Sequence, residues 1–590
     1  MASIVDGRVG RPLREVATVI VIVFLANDVR GQDPPVLFED VSGLIDFVHR
    51  SSEFEGDGLA GAAWFDYNND GWLDLFLTNG KTQTNGLFRN NGDGTFDNVA
   101  AEAGVENGLG NSGVIAADFD NDGWQDLFLT GEGGSLYGSK QMPLKFYHNN
   151  GDGTFSDITE ATGLVSPPTA LDPAVADIDL DGDLDIFIGA PGSLFLQVNH
   201  KNELWLNNGD LTFTNISASS GVDTSLGACA ASFLDYDTDG FPDLFIANCN
   251  DKNLAATPIE LHRNNGDLTF TDLTQSAGTN VPGLWMGLSM ADHDNDGDLD
   301  VFSTNTGLLN GLWHALLRNN GDGSMTNIGV AAGVGVHRFA WGCSFTDFDN
   351  DSWADLFFTG ALVGWNFNII GPGVGNQGTM LFNDGDGTFS NFTEHMPVNL
   401  ENRYTSGVAY GDYDNDGFND ILVMVETIPG DLGTPVLLHN LGNDNNWVKL
   451  RLTGTISNRD AIGARVLVTA NGVTQAKEVF AGTSLLSTDS KVLSFGLGKA
   501  PMTDEITVIW PSGLVEQFAN AKAGATVTLV EGTILCPWDL DSNGNVGASD
   551  LLSLLVAWGP NKGHPADFDG NGTVGASDLL ALLVNWGPCP

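Results

Sequence analysis

Basic residues are scarce in this chain. Its 590 residues include 24 Lys and Arg against 76 Asp and Glu, a formal net charge of −52. Such a surface repels polyanions, so DNA and RNA are excluded as partners. Five cysteines are too few for a disulfide-built scaffold of this length. The apolar run VATVIVIVFLA at 16–26 has eleven residues, short of the roughly 18–20 that a membrane-spanning helix needs. Preceded by Arg8, Arg11 and Arg14, it fits a secretory signal peptide over 1–31, cleaved between Ala26 and Gln32. The mature chain then has no transmembrane segment and is expected outside the cell, secreted or at its surface. HExxH, GxSxG and P-loop motifs are absent. Gly373, Gly375 and Gly378 spell GxGxxG, but beside Pro372 and without a strand-to-helix context they read as a loop. The hydrophobic fraction of 42% is that of a folded chain, which excludes disorder despite the charge.

What is abundant is aspartate in one spacing. Seven nine-residue loops place side-chain oxygens at positions 1, 3, 5 and 9, with a turn residue at 6. They are Asp66, Asn68, Asp70 and Asp74; Asp118, Asp120, Asp122 and Asp126; Asp177, Asp179, Asp181 and Asp185; and Asp235, Asp237, Asp239 and Asp243. Further on come Asp292, Asp294, Asp296 and Asp300; Asp347, Asp349, Asp351 and Asp355; and Asp412, Asp414, Asp416 and Asp420. This spacing wraps oxygens about one point, and the carbonyl of residue 7 can add another. Calcium accepts six to eight oxygen ligands in a forgiving geometry, and magnesium is stricter. Zinc calls for His or Cys, which the loops are read as lacking. Two carboxylates about 4 Å apart repel by roughly 4 kcal/mol at an effective dielectric near 20, so an empty loop is strained. Asn68 removes one charge from the first loop, and Ser352 replaces the turn glycine of the sixth. These two sites are expected to be the weakest.

Each loop lies between two apolar runs, and a second hairpin such as LFRNNGDGTFDNV follows it. Four short strands per unit, repeated every 52 to 65 residues, describe the blade of a β-propeller. The seventh unit lacks a fourth strand, and VLFEDVSGLIDF at 36–47 is expected to supply it and close the ring. On these motifs, residues 36–440 resemble the FG-GAP/VCBS repeat propellers, which bear calcium. The resemblance implies a seven-bladed, mainly β domain.

Two smaller modules follow. Alternating apolar patterns over 446–533 predict a small all-β domain. Its segments NRDAIGARV (458–466), SFGLG (494–498) and VIWPSGLVEQF (508–518) resemble the ASPIC/UnbV domain of cartilage acidic protein-like chains. Gly463 and Gly513 read as turn residues and Trp510 as core. Over 536–590 a 28-residue unit repeats. Asp539, Asp541, Asn543 and Asp550, then Asp567, Asp569, Asn571 and Asp578, stand at positions 1, 3, 5 and 12 of EF-hand-like loops, each followed by an apolar helix. This tail resembles a type I dockerin, a small α-helical calcium-loop domain, which implies docking to a cohesin-like or other cell-surface protein. Nine calcium ions, seven in the propeller and two in the tail, would offset 18 of the 52 excess negative charges and leave the chain strongly acidic.

Cys229 and Cys249 flank the fourth loop symmetrically and are expected to pair, as are Cys536 and Cys589 around the tail. Cys343 is left as a buried thiol. The connections away from the acidic loops, 131–142, 190–201 and 361–378, are long and diverse. They form the expected ligand face, with Tyr137, Phe195, Trp365 and Phe367 as candidate contacts for a glycan or surface protein. No catalytic residue emerges. The reading is a secreted, calcium-binding, non-catalytic binding or adhesion protein anchored through its tail. The alternative is a polysaccharide-degrading hydrolase of glycoside-hydrolase type carried by the dockerin-like tail.

Overall fold

The computed structural model describes residues 38–45, 59–79, 83–108, 110–131, 143–165, 167, 169–191, 200–249, 255–306, 313–335, 340–360, 378–396, 400, 403–426, 433–532, 538, 540, 545–561, 564–568 and 571–588. The expected signal peptide, the four aromatic contacts Tyr137, Phe195, Trp365 and Phe367, and the cysteines Cys536 and Cys589 lie outside these residues.

The protein is mainly β. Each acidic repeat folds as a four-stranded antiparallel sheet with its strands in sequence order, an arrangement consistent with a propeller. The first sheet is typical, with strands Ala62–Phe65, Asp74–Leu77, Gly86–Asn90 and Phe96–Asn98. The first two strands carry apolar residues on both faces and are buried throughout, as strands sandwiched between neighbouring sheets must be. The first strands contact one another in succession, from Ala62–Phe65 through to Tyr404–Gly411, which returns to Ala62–Phe65. The last sheet takes its outer strand from the front of the chain. Phe38–Asp40 pairs antiparallel with Val436–Asn440, with Phe38 opposite Asn440. Sheet edges that would otherwise stand open are thereby paired.

One side chain fastens each sheet to the one before it. The third strand always ends in asparagine, and its Nδ2 donates to the carbonyl of loop position 2 in the preceding repeat. Asn149 reaches Tyr67 O at 2.9 Å, Asn264 reaches Ile178 O at 2.8 Å, and Asn319 reaches Tyr236 O at 2.8 Å. Asn207, Asn383 and Asn440 bond Phe119, His293 and Phe348 in the same way. Asn90 closes the cycle on Tyr413 O at 2.8 Å. A second set runs through loop position 4, which takes a left-handed conformation in all seven loops. Where that residue is asparagine, as in Asn69, Asn121, Asn295, Asn350 and Asn415, it donates to the position 6 carbonyl of the next loop. Leu180 and Thr238 hold the same conformation, with φ of 60° and 56°, without that bond.

Residues 446–530 form two further sheets. One places Asn446–Thr453 between Leu493–Gly498 and, in parallel, Ala525–Val530. The other has the order Val473–Glu478, Arg465–Ala470, Glu505–Ile509, Val515–Phe518. Its core is continuous with that of the second and third repeats, where Ile115, Phe146, Ile186, Val448, Ile462 and Trp510 share one buried cluster. In the tail, helices Ala548–Val556 and Ala576–Val584 pack together around Leu554 and Leu582. Each short strand after a helix pairs with the strand before the other helix.

Two substitutions test the inter-repeat bonds. Asn264→Ala strips the acceptors Ile178 O and Pro242 O and the donor Gly266 N–H of their partner, and is expected to cost about 3 kcal/mol. Leu180→Asn is expected to gain about 1 kcal/mol, because asparagine tolerates the left-handed region. Denaturant unfolding at constant calcium measures both.

Candidate metal loops and the plugged ring axis

The loops are pre-shaped by their own backbone. The position 1 carboxylate accepts the N–H groups of positions 5 and 6, as Asp66 does from Asp70 at 2.9 Å and Gly71 at 2.8 Å. The position 9 carboxylate accepts from position 2 and from the third-strand asparagine, as Asp74 does from Tyr67 at 3.1 Å and Asn90 at 2.8 Å. The same pair of bonds occurs at Asp126, Asp185, Asp243, Asp300, Asp355 and Asp420. Position 6 needs positive φ. Its glycines lie between 90° and 96°, and Ser352 adopts 83°. The sixth turn is therefore not distorted, contrary to the sequence expectation. Ser352 N still donates to Asp347 and its Oγ bonds Gly496 O at 3.0 Å.

Several of these clusters could hold a metal ion, among them Asp118, Asp120 and Asp122, and Asp177, Asp179 and Asp185. The fit is marked by carboxylate oxygens that are buried without any hydrogen-bond partner: Oδ1 of Asp179, Asp237 and Asp294, all at position 3. Burial pushes the carboxyls up, Asp118 and Asp292 to about 8, Asp177 to about 7 and Asp243 to about 9, against the backbone N–H groups that bond them. In the tail, Asp550 accepts from Leu540 and Gly547, and Asp578 from Phe568 and Gly575. Asp567 Oδ1 is likewise buried and unpartnered, and Asn571 accepts from Thr573 N. Asp539, Asp541, Asn543 and Asp569 lie outside the described residues.

The expectation that no histidine stands in the loops is corrected. His293 is position 2 of the fifth loop and pairs with Asp300. His148 and His439 approach Asp126 and Asp420 from the third strand, at 3.1 and 3.0 Å. Hydrogen bonds to these carboxylates raise both imidazoles to about 9. In the fourth loop Arg263 spans positions 3 and 5, with Nε 2.6 Å from Asp237 and Nη2 on Asp239.

The small β domain covers the acidic-loop end of the sheets, so its residues do more than turn and core work. Asp460 accepts the N–H of Asp118 at 2.9 Å, and buried Lys449 Nζ lies 2.6 Å from Asp412 Oδ2. Glu531 holds the covering loops by accepting from Thr455, Ile456, Ser457 and Ser512. The strand Val473–Glu478 stops short of the ring. The next stretch, Ala481–Ser490, is buried along its whole length and bonds to all seven sheets. Thr488 pairs with Ala63 and its hydroxyl bonds Val114. Ala481 meets Val175, Gly482 meets Ser232, and Ser484 meets Leu288 and Cys343. Asp489 accepts from Tyr410. This hairpin fills the axis about which the first strands are arranged. Cys229 and Cys249 form a disulfide across a bulge in the fourth sheet, and Cys343 is free and buried.

Comparison with known proteins agrees with these repeats. A profile of the FG-GAP-like repeat matches residues 66–129, 124–188, 235–303 and 368–423, and one described as ASPIC and UnbV matches 454–534. The human protein named cartilage acidic protein 1 is 26% identical over 454 residues, 73% of this chain and 64% of its own length. Its mouse counterpart is 25% identical over 453 residues, 73% of this chain and 65% of its own length. The chain thus spans slightly under two thirds of these relatives. The exotype rhamnogalacturonan lyase YesX overlaps 65% of this chain and 73% of its own, at 13% identity and a TM-score of 0.33, below the level of a shared overall frame.

The hairpin makes stability depend on pH. Asp172, fully buried, receives Ala231 N and Leu486 N, and burial pushes it up to about 8; Asp489 rises to about 7. The folded chain therefore keeps protons that the unfolded chain has lost. This contribution is full below the ordinary value of 3.8 and disappears as pH rises towards 8. In constant millimolar calcium, the denaturation midpoint is expected to fall between pH 5 and 8. Asp172→Asn should flatten that fall, and an unchanged slope would remove Asp172 as its source.

Proposed function

We propose that this chain is a secreted, seven-bladed, calcium-stabilised propeller acting as a non-catalytic binding or adhesion protein. The observation that carries the reading is the filled axis. With the Ala481–Ser490 hairpin in the ring and the β domain over the acidic loops, the end remaining for a large ligand is the one away from those loops. A glycan or a surface protein is the ligand proposed there. The buried, unpartnered carboxylate oxygens at position 3 support calcium in the loops, where the ion would neutralise carboxylates already oriented by backbone N–H groups. Likeness to an acidic protein named for cartilage supports an extracellular setting. Among the described residues no helix is long and apolar enough to cross a membrane.

The tail is proposed as the anchor. Its two helices and the residues just after them expose matching apolar side chains, Leu552, Val556 and Trp558 in one unit and Leu580, Val584 and Trp586 in the other. A cohesin-like or other cell-surface protein would cover one of these sets. Two further calcium ions would hold the tail loops, making nine in all.

Retention of the protein on insoluble polysaccharides, with and without calcium, tests this reading against the hydrolase. Binding with no release of reducing ends is expected, and calcium-dependent release would overturn it. In parallel, equilibrium dialysis should count close to nine ions, and chelation should lower the melting temperature.

A further inference from the structure

Few basic residues are available to this chain, yet three meet in one cleft between the first two repeats and the β domain. Arg451, Arg459 and Lys491 line a cavity of about 260 Å³ together with Asp460, Gln125 and Trp64. Lys491 Nζ lies 3.3 Å from Asp460. The two guanidiniums have donors to spare. The Arg451 guanidinium makes no hydrogen bond among the described residues and only a loose ion pair, 3.7 Å from Asp66. Arg459 is exposed, and among the described residues its hydrogen bonds run through its backbone, N–H to Asn121 Oδ1 and C=O from Gly454 N–H, with none from the guanidinium. Trp64 is 1% exposed and its Nε1 has no partner. Two guanidiniums with free donors therefore border one small space.

We infer that this cleft binds an anionic sugar residue, a uronate, with its carboxylate on the arginines. Guanidinium groups match a carboxylate in a two-point fork. Gln125 and Asp460 can receive and orient ring hydroxyls, and Trp64 and Leu452 provide apolar wall. The volume holds about nine waters at roughly 30 Å³ each, which suits a single sugar ring. The inference rests on calcium in the first two loops. Asp66 and Asp118 also face the cleft, and only when they ligate metal does the lining carry more positive than negative charge. Binding is therefore calcium-dependent.

The test uses the full chain and methyl β-glucuronide, with methyl β-glucoside as the neutral twin, followed by ligand-observed NMR titration at fixed free calcium. The glucuronide is expected to bind and the glucoside to bind at least tenfold more weakly. Arg451→Leu and Arg459→Ala should each weaken the glucuronide at least tenfold. Arg89→Ala, which removes a surface cation paired with Asp97, should leave it unchanged. Melting curves and calcium content of every variant separate loss of the site from loss of the fold. Equal binding of both sugars, parental binding by the arginine variants, or preference for N-acetylaspartate amide over the glucuronide would overturn the inference. If calcium occupies the loops and the glucuronide does not bind, this inference falls and the calcium reading stands. If no calcium binds, both fall.

Discussion

The structure depends on a carboxylate shared between three pieces of backbone. At position 9 of each loop an aspartate begins the second strand and accepts from position 2 of its own loop. It also accepts from the asparagine that ends the third strand, as Asp243 does from Tyr236 and Asn264. That asparagine then bonds the preceding repeat through its amide. One buried carboxylate thus sets the loop, the sheet and the seam between sheets. Because the groups are buried, an unmet bond carries its full desolvation cost. This explains why the aspartate loop and the asparagine of the next hairpin always occur together.

A ring fastened in this way encloses an axis, and here the axis is filled from within the chain. The hairpin Ala481–Ser490 uses mainly small polar residues and backbone groups, which suits a site ringed by first strands offering N–H and C=O groups. Its two large apolar residues, Leu485 and Leu486, are completely buried. The small β domain is therefore not an appendage. Its apolar core merges with that of the repeats, and its basic residues stand against the acidic loops. A ligand passage along the axis is closed, which leaves the opposite end and the seam for the recognition proposed above.

Much of this was legible in the sequence. The spacing of aspartates and glycines gave the loops, the alternating apolar runs gave four strands per repeat, and the missing fourth strand pointed to Phe38–Asp40. The Cys229–Cys249 bond followed from symmetric placement about one loop. Other features were hidden for physical reasons. The asparagine before each Gly-Asp turn looked like turn chemistry, because a side chain bonding some 80 residues away leaves no local pattern. Its recurrence as Asn90, Asn149, Asn207, Asn264, Asn319, Asn383 and Asn440 was the available signal. The hairpin resembled a strand and a turn, since GTSLLSTDS has no periodicity that marks burial on all sides. Lys449 and Asp460 read as ordinary strand and turn residues, because what they touch belongs to another domain.

The seven loops also differ in ways that charge counting misses. Each carboxylate oxygen that accepts a backbone N–H retains a further lone pair, so the internal bonds orient a cation site without consuming it. What does compete is an internal cation. Among the described residues the third loop has none against it, and it keeps Asp179 Oδ1 buried and unpartnered. In the fourth, a metal ion must displace a guanidinium held by Asp237 and Asp239 together. In the seventh, Lys449 sits on the position 1 aspartate Asp412 and His439 sits beside positions 3 and 9. Sequence alone ranks the first and sixth loops as weakest, by a missing charge and a missing glycine. The sixth keeps its turn, because the φ that glycine adopts freely is held in Ser352 by bonds to Asp347 and Gly496. The fourth and seventh would hold an ion less firmly, since an arginine or a lysine already sits on their aspartates.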